Sequence, residues 1–249
     1  MSIERETTKA LCFDLGNTLI EFGPRQIAVL LEAMRVTLEE LFGPCDLEKL
    51  RAVRDRQIVA PYRNGYREND LGMLGKEVVR ELYGREAEEG QLAELARSRH
   101  HAFVEVVEVE PEVRALLERL APRYRLALLS NYPCGRSIRD GLTKLGLTEL
   151  FEVIVVSGEV GFVKPHQRPY RLLLEGLELP ASECVYVGDN WLADIQGAKG
   201  IGMGAIHTTE HVPYERFEPH EGDHEPDARI TRLGQLETLL SRRPVPGEA

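Results

Sequence analysis

The chain has 249 residues, of which 43% are hydrophobic, which is enough for one large α/β domain or for a core with a smaller insert. Its 41 acidic and 31 basic residues give a formal net charge of −10, which disfavours a nucleic-acid partner because such a partner requires a concentrated basic face. Small anionic substrates remain compatible with this charge, since one lysine or one metal ion can reverse the field inside a cleft.

The sequence also argues against membrane insertion and secretion. No stretch approaches eighteen consecutive apolar residues, and the first nine residues (MSIERETTK) lack the apolar segment of a signal peptide. The four cysteines, at positions 12, 45, 134 and 184, have no metal-ligand spacing, which favours buried free thiols. We therefore expect a cytoplasmic protein with no membrane partner.

The first predicted element is a short buried strand over residues 10–13, and it ends at Asp14. Gly16, Asn17 and Thr18 follow, and all three are turn formers. In an open α/β sheet, ligands bind in the crevice beyond the carboxyl ends of the strands. Asp14 is therefore a candidate for chemistry, although a carboxylate at this position could also serve only to cap the turn.

Residues 21–108 are predicted to be all-helical. Apolar periodicity and flanking Pro and Gly residues predict helices over 25–42, about 46–59, 74–83 and 86 to about 106, with a loop over 61–66. An insert placed directly after the strand that carries Asp14 would extend over the same strand ends. We therefore expect it to act as a lid.

From Pro111 onward, helices and strands alternate. The predicted helices are 111–120, 136–145, 168–177, 192–199 and 233–240, and the predicted strands are 125–129, 153–156, 184–187, 203–207 and 228–230. This alternation indicates an α/β fold, a Rossmann-like, doubly wound parallel sheet with helices on both faces. The predicted domains are a core of residues 1–20 and 109–249 and a helical lid of residues 21–108, with a loose tail over 243–249.

Three further strand ends carry polar residues. The strand over 125–129 continues into Ser130 and Asn131, Lys164 stands in a loop before a helix, and the strand over 184–187 continues through Gly188 to Asp189, with Asp194 five residues later. Taken singly, these residues could be turn formers, a solvated charge or helix caps. Together with Asp14 they form four polar sites at strand ends of one fold, which indicates a functional site.

With these residues the chain resembles the haloacid dehalogenase superfamily over essentially its whole length. The four motifs of that superfamily appear in order as FDLGNTL, LLSNY, the lysine of GFVKP, and VGDNWLAD, and the insert stands where the phosphatase-like branch has a helical cap. The resemblance implies that Asp14 is the nucleophile, that Ser130 and Asn131 bind the transferring group, and that Lys164 neutralises its charge.

The resemblance also implies a magnesium site. Asp14, the backbone carbonyl of Gly16 and Asp189 would bind Mg²⁺, while Asp194 and Asn190 would position a metal-bound water or the lysine. Oxygen ligands are those that Mg²⁺ prefers, and phosphoryl transfer needs positioning and charge neutralisation more than covalent activation. The implied function is a Mg²⁺-dependent phosphatase that hydrolyses a small phosphorylated metabolite, a phosphate monoester, through an aspartyl-phosphate intermediate.

The chain departs from this pattern at one position. Phosphatases of the superfamily usually have a second aspartate, a general acid and then base, two residues after the nucleophile, and here that residue is Gly16. General acid–base assistance is worth about 10²- to 10⁴-fold in rate. The candidates to replace it are Glu21, His100, His101 or a metal-bound water, unless the leaving group needs little help.

Two alternatives follow from this departure. In a metal-independent 2-haloacid dehalogenase the aspartate attacks carbon and a halide leaves without a proton, which is compatible with Gly16. Against this, Asp189 and Asp194 suit a metal site and would repel a halocarboxylate, and dehalogenases tend to have an aromatic residue at the position of Gly16. The other alternative is a weakly catalytic member of the fold that functions by binding.

The lid is expected to determine the substrate, since a cover over the site supplies specificity and excludes water. Arg63 and Arg67, in the stretch PYRNGYREND, and Arg25, near the first hinge, could bind a second anionic or polyol group of the substrate. They could equally be solvated surface residues. Hinges are expected near residues 22–24 and 108–111.

Overall fold

The computed structural model describes residues 7–212 and 220–240, and its centre is a six-stranded parallel sheet with the strand order β3-β2-β1-β4-β5-β6. The strands are β1 (Ala10–Phe13), β2 (Arg125–Ser130), β3 (Val153–Val156), β4 (Cys184–Gly188), β5 (Gly204–Thr208) and β6 (Ala228–Ile230). This confirms the predicted α/β fold. The predicted loose tail at 243–249 lies outside the described residues.

Helices occupy the connections between the strands. Five of them lie between β1 and β2, and the first four form the insert, here called the cap: α1 (Pro24–Phe42), α2 (Leu47–Arg63), α3 (Leu71–Tyr83) and α4 (Glu89–Val106). The others are α5 (Pro111–Leu120), α6 (Gly135–Lys144), α7 (Ser157–Val160), α8 (Gln167–Leu177), α9 (Gly197–Gly200) and α10 (Gln235–Leu240). In the part of the chain that the structure describes, no helix is both long and apolar enough to cross a membrane.

Strand β1 lies in the middle of the sheet, and its residues divide between two cores. It pairs with β2 and β4, and all four of its side chains are fully buried. Leu11 and Phe13 pack in the core on one face, whereas Ala10 and Cys12 pack in the core on the other. A strand buried on both faces reads as a continuous apolar run, which is why its limits could be predicted from the sequence.

The cap has a core of its own, formed by Leu38, Leu50, Val53, Val78, Val79 and Leu95. These side chains come from α1 to α4, whereas Leu30 of α1 and Ala102, Phe103 and Val106 of α4 pack in the core on one face of the sheet. The cap is therefore a helical layer that has its own core and also packs on the sheet, and its insertion point after β1 places it beyond the carboxyl ends of the strands.

The predicted boundary of helix α2 is wrong. The helix was expected to end near residue 59 before a loop that begins at Pro61, but it continues through Pro61 to Arg63. Proline inside a helix leaves the carbonyl four residues earlier without its usual donor. Here that carbonyl belongs to Gln57, and it accepts a hydrogen bond of 2.8 Å from the Asn69 side-chain amide. A contact from beyond the helix thus replaces the missing bond.

The predicted helix over 192–199 is also not a single α-helix. The segment Trp191–Gln196 is a π-helical turn, and α9 follows it directly. The carbonyl of Asn190 accepts from the N–H groups of both Asp194, at 2.8 Å, and Ile195, at 3.3 Å. The second of these is the i to i+5 bond that defines a π-turn, a feature frequent at functional sites.

We predict that Asn69→Ala lowers the free energy of unfolding by about 1 kcal/mol, because it leaves the Gln57 carbonyl without a donor. Pro61→Ala restores a backbone N–H at that position, so the same substitution in a Pro61→Ala background should cost less. Urea denaturation of the four proteins measures this coupling. Asn64→Ala is the control, and an Asn69→Ala effect that is equal in both backgrounds would contradict this account of α2.

Candidate active site

Three aspartates meet at the carboxyl edge of the sheet. Asp14 directly follows β1, and its backbone N–H donates to the Val187 carbonyl of β4 at 3.0 Å, while Asp189 directly follows β4. Asp194 comes from the π-helical turn. One carboxylate oxygen from each of the three lies within 4.8 Å of those of the other two, and all three residues are buried. The structure thus brings together the predicted acidic residues.

Lys164 lies fully buried among these groups. Its Nζ donates to Asp14 Oδ1 at 2.6 Å, to Asp194 Oδ1 at 2.7 Å and to the Tyr186 hydroxyl at 2.9 Å. An ammonium group has three N–H donors, so every one of them is used. Tyr186 in turn donates to the Leu129 carbonyl at 2.9 Å. The ammonium is therefore fixed in position by strands on both sides of β1.

Burial and neighbouring charges together shift the pKa values of Asp14 and Lys164. Burial raises the pKa of Asp14 most, the Lys164 ammonium opposes that shift, Asp194 adds to it, and the resulting pKa is about 6. Burial alone would lower the pKa of Lys164, but the Asp14 and Asp194 carboxylates raise it above its ordinary value. At neutral pH, Asp14 is mostly a carboxylate beside a charged lysine, which is the state in which it can act as a nucleophile.

The site carries more negative than positive charge. Burial raises the pKa of Asp189 well above its ordinary value, and the neighbouring Asp14 and Asp194 raise it further. Three carboxylates with one ammonium give this buried cluster an excess of two negative charges when all are ionised. Clustered carboxylate oxygens are the ligands that a hard divalent cation prefers, so the donor set fits Mg²⁺ at Asp14 and Asp189.

Ser130 and Asn131, at the end of β2, have different surroundings. Ser130 is buried at the end of the strand and lines the cavity that contains Asp14. The Asn131 side chain also reaches this cavity, but it binds the backbone of Lys164: its amide donates to the Lys164 carbonyl at 3.1 Å, and its oxygen accepts from the Lys164 N–H at 2.8 Å. The resemblance implies that Asn131 binds the transferring group. In the structure, its side chain also holds the loop that carries Lys164.

The π-helical turn is fixed by its own capping bonds. The Asn190 side chain accepts from the Ala193 N–H at 2.8 Å, and Asp194 Oδ2 accepts from the Asn190 N–H at 2.9 Å. A Cβ at Gly188 would stand 2.4 Å from Asp194 Cγ, so only glycine allows Asp194 to approach β4 this closely. These bonds leave Oδ1 of Asp194 for Lys164.

Tyr186 and Thr18 are site residues that the sequence analysis missed. Tyr186 supplies the third acceptor for Lys164, and the Thr18 hydroxyl donates to Asp189 Oδ1 at 3.4 Å. Tyr186 lies inside an otherwise apolar strand, where its aromatic ring is indistinguishable from ordinary core. The available signal was that a tyrosine hydroxyl buried in a central strand requires a partner.

The three arginines predicted for the lid do not line the cavity that contains Asp14, nor a second cavity of about 370 Å³ that is bordered by α1, α2 and α3 of the cap. Arg25 is exposed and lies 3.6 Å from Glu108 at the opposite hinge. Arg67 lies with its guanidinium carbon 5.5 Å from the centre of the Phe162 ring, and Arg63 is exposed at the end of α2. The positions of these three arginines in the sequence could not show which way their side chains point.

The candidate substitutes for the general acid are likewise absent from the lining of both cavities. Among the described lining residues there is no Glu21, His100 or His101. His100 instead lies 3.0 Å from the Ser137 hydroxyl of α6, and burial lowers its pKa. The structure thus gives none of these three side chains access to a group bound at Asp14.

The cap covers the site directly. The cavity that contains Asp14 has a volume of about 310 Å³, and it is lined on the cap side by Phe22 and by Ile58 and Tyr62 of α2. The loop after α2 also pairs with the loop that precedes Lys164: the Glu68 N–H donates to the Gly161 carbonyl at 3.1 Å, and the Val163 N–H donates to the Tyr66 carbonyl at 2.9 Å. The cap and the lysine loop therefore form a continuous wall.

Carboxylates and a fixed ammonium at the carboxyl edge of a doubly wound sheet, beneath a helical cover, define an α/β enzyme of the kind that binds ligands at its strand ends. The family can be named from the sequence as a whole. Residues 12–208 match the family described as haloacid dehalogenase-like hydrolase, and the chain belongs to this family of hydrolases.

Similar proteins span nearly the whole chain. A ribulose-1,5-bisphosphate 5-phosphatase of Halopiger xanaduensis is 28% identical, over 93% of this chain and 99% of its own length. A phosphoserine phosphatase of Thermus thermophilus is 32% identical, over 92% and 97%. Among solved structures, a 2-haloacid dehalogenase from Pseudomonas syringae pv. Tomato DC3000 superposes with a TM-score of 0.72 at 28% identity, over 94% of this chain and 98% of that one.

We predict that Tyr186→Phe lowers the free energy of unfolding by about 1–3 kcal/mol, because Lys164 loses a buried acceptor and the Leu129 carbonyl loses its donor. Tyr170→Phe is the matched control, since Tyr170 is equally buried but donates only to backbone, to the Ala193 carbonyl at 2.6 Å. Chemical denaturation should show the larger loss for Tyr186→Phe. An equal loss would mean that the bond to Lys164 contributes nothing to stability.

Proposed function

We propose that this protein is a Mg²⁺-dependent phosphatase that hydrolyses a small phosphate monoester through an aspartyl-phosphate intermediate on Asp14. The observation that carries the proposal is the buried cluster in which one ammonium, fixed by Asp14 and Asp194, stands beside the further carboxylate of Asp189. Such a cluster suits a reaction whose substrate brings its own negative charge, since neutralisation and positioning supply most of the catalysis. Relatives that cover the whole chain are named as phosphatases, which supports the reaction class.

The first step is the attack of Asp14 on phosphorus. Lys164 engages Oδ1, which leaves Oδ2 as the attacking oxygen. The P–O bond to the alcohol breaks as the new P–O bond forms, and the alcohol oxygen leaves with the electron pair. The Lys164 ammonium stabilises the charge on the phosphoryl oxygens, and the Ser130 hydroxyl donates a hydrogen bond to one of them. Water then attacks the aspartyl phosphate, which releases inorganic phosphate and regenerates the Asp14 carboxylate.

Mg²⁺ would be held by Asp14, Asp189 and the backbone carbonyl of Gly16. Asp194 and Asn190 would position a metal-bound water or the lysine. When bound, the cation would neutralise the phosphate and the excess negative charge of the aspartates. Because the chain has no acidic side chain at position 16, the leaving oxygen receives no proton from that side. The proposed enzyme therefore acts best on esters whose alcohol is a weak base.

A 2-haloacid dehalogenase is the second candidate, because the superposed structure from Pseudomonas syringae bears that name. In that reaction a halocarboxylate substrate would lie beside Asp189 and Asp194 as well as Asp14. Two further carboxylates disfavour a bound carboxylate unless a cation lies between them. A metal-independent dehalogenase supplies no such cation, whereas the Mg²⁺ of the proposed phosphatase would offset the charge, so the excess of negative charge in this site favours the phosphatase.

We predict that 4-nitrophenyl phosphate is hydrolysed only when Mg²⁺ is present, and that Asp14→Asn lowers kcat by at least 10³-fold, because the nucleophile is lost. Phosphate release is measured with Mg²⁺ and with EDTA. Asp140→Asn, an exposed carboxylate on α6, is the control and should retain full activity. Halide release from 2-chloropropionate by the same enzyme without metal would favour the dehalogenase. Mg²⁺ binding with no turnover of either substrate would favour the binding protein.

We predict that Gly16→Asp raises kcat/KM on alkyl phosphates by about 10-fold or more and changes it little on 4-nitrophenyl phosphate, because kcat/KM reports the step in which the alcohol leaves and only a poor leaving group needs a proton there. A Cβ at this position would meet Phe22 at 3.4 Å, an ordinary contact, so the backbone accepts a side chain here. Gly16→Asn is the matched control, since it adds the same bulk without an acid. Equal rates for the two variants would contradict the assignment of a missing acid.

A further inference from the structure

An open cleft of about 740 Å³ lies beside the loop that carries Lys164. Pro165 and His166, which directly follow that lysine, form part of its wall, and Tyr66 of the loop after α2 lines it from the cap side. The other wall residues lie on α8, namely Gln167, Arg168, Arg171, Leu172 and Glu175. The cleft shares none of its described lining residues with the cavity that contains Asp14, and its volume is within the range of small-molecule sites.

Three exposed arginines at this cleft have no carboxylate partner. Arg168 and Arg171 line the cleft and Arg67 lies next to it, and none of the three forms an ion pair in the described part of the chain. Elsewhere in this chain of net charge −10, exposed arginines such as Arg114 and Arg119 are paired with glutamates. The cleft is therefore a positively charged patch on an acidic protein.

The charges of these arginines act on the same small region. The guanidinium carbons of Arg67 and Arg168 lie 5.5 Å and 5.7 Å from the centre of the Phe162 ring, and the His166 ring stacks on that ring at 4.1 Å. Burial lowers the pKa of His166, and the charges of Arg168, Arg171 and Arg67 lower it further. The imidazole is thus neutral at pH 7 and adds no charge, while three cations that repel one another stand around it.

The two arginines of α8 are placed unfavourably for the unliganded protein. Arg168 and Arg171 are three residues apart on the first turns of the helix, so their like charges are neighbours. They also lie at the positive end of the helix dipole, and the first turn contains no acidic residue. Glu175 is the only carboxylate among the described lining residues, and the Arg171 guanidinium donates instead to Gln167 Oε1 at 2.7 Å. A bound anion would relieve this repulsion.

A phosphate group suits the arrangement better than a single carboxylate. Guanidinium groups bind phosphate oxygens in a planar, bidentate fashion, and a terminal phosphate has enough oxygens for two arginines. The cleft is also larger than one phosphate ion. Leu172, which is 38% exposed, Pro165 and the aromatic side chain of Tyr66 add apolar surface to its wall. An occupant that combines a phosphate group with a flat apolar part would use both kinds of surface.

We propose that this cleft is a second anion-binding site, separate from the active site, which takes a small phosphate-bearing molecule with an aromatic portion. The phosphate group binds to Arg168 and Arg171, and the aromatic portion packs on Leu172. Because the wall combines Tyr66 of the cap with Pro165 of the loop that carries the active-site lysine, the bound molecule contacts both sides of the junction between the cap and the core. This inference does not depend on the phosphatase function proposed above.

The test uses phenylphosphonate, whose P–C bond a phosphatase does not hydrolyse, and isothermal titration calorimetry of the full chain in EDTA. We expect it to bind at least about 5-fold more tightly than inorganic phosphate, because its ring buries apolar area. The double variant Arg168→Gln, Arg171→Gln should weaken binding by about 10-fold or more, because charge-assisted hydrogen bonds are lost. The matched control is Arg114→Gln, Arg119→Gln, which removes the same charge from α5 and should leave the affinity unchanged.

Two further variants locate the bound anion. Ser130→Ala alters the cavity that contains Asp14 but not the cleft, so the affinity measured in EDTA should not change. Leu172→Ser should abolish the preference for phenylphosphonate over phosphate, because it removes the apolar surface on which the ring packs.

The outcomes that contradict the proposal are distinct. Binding that is lost in Ser130→Ala and kept in the Arg168→Gln, Arg171→Gln protein would place the anion in the active site. No binding in EDTA, or an equal loss in the two double-arginine variants, would overturn the site as a whole. Equal affinities for phenylphosphonate and phosphate would overturn the aromatic portion of the ligand.

Discussion

The site depends on one buried ammonium group. Removing the charge of Lys164 from water is favourable only when its partners are close and well oriented, and the sheet supplies them from separate elements: Asp14 after β1, Tyr186 within β4 and Asp194 on the π-helical turn. Asn131 then fixes the backbone of the lysine. The position of the Asp14 carboxylate, the order of the strands and the geometry of the turn are therefore mutually dependent.

The core and the cap line neighbouring cavities with side chains of different polarity. The carboxyl edge of the sheet concentrates charge, whereas the cap presents a mainly apolar wall. The backbone hydrogen bond from Val163 to Tyr66 joins the loop that carries Lys164 to the loop after α2, so these two parts of the chain are held together. In such an arrangement the sheet holds the charged groups, and we propose that the packing of the four helices selects the substrate.

Much of the fold and part of the site could be predicted because they depend on local patterns. Strand β1 is apolar on both faces, so its limits were evident, and the carboxyl ends of parallel strands must meet at one edge, so Asp14 and Asp189 were expected to lie together. The end of α2 was mispredicted because Pro61 signals a helix end unless another donor replaces its bond. That donor, Asn69, lies in the next loop and cannot be recognised from the helix itself.

By itself, then, the sequence determined the doubly wound sheet, the helical insert after β1 and the set of polar residues at the strand ends, since these follow from apolar periodicity and from the identity of each terminal residue. Only the tertiary structure decided that Tyr186 supplies the third acceptor for Lys164, that Arg25, Arg63 and Arg67 lie off the cavity walls, and that the cap helices border a mainly apolar cavity. These features arise from contacts between residues far apart in the chain, which no local pattern encodes.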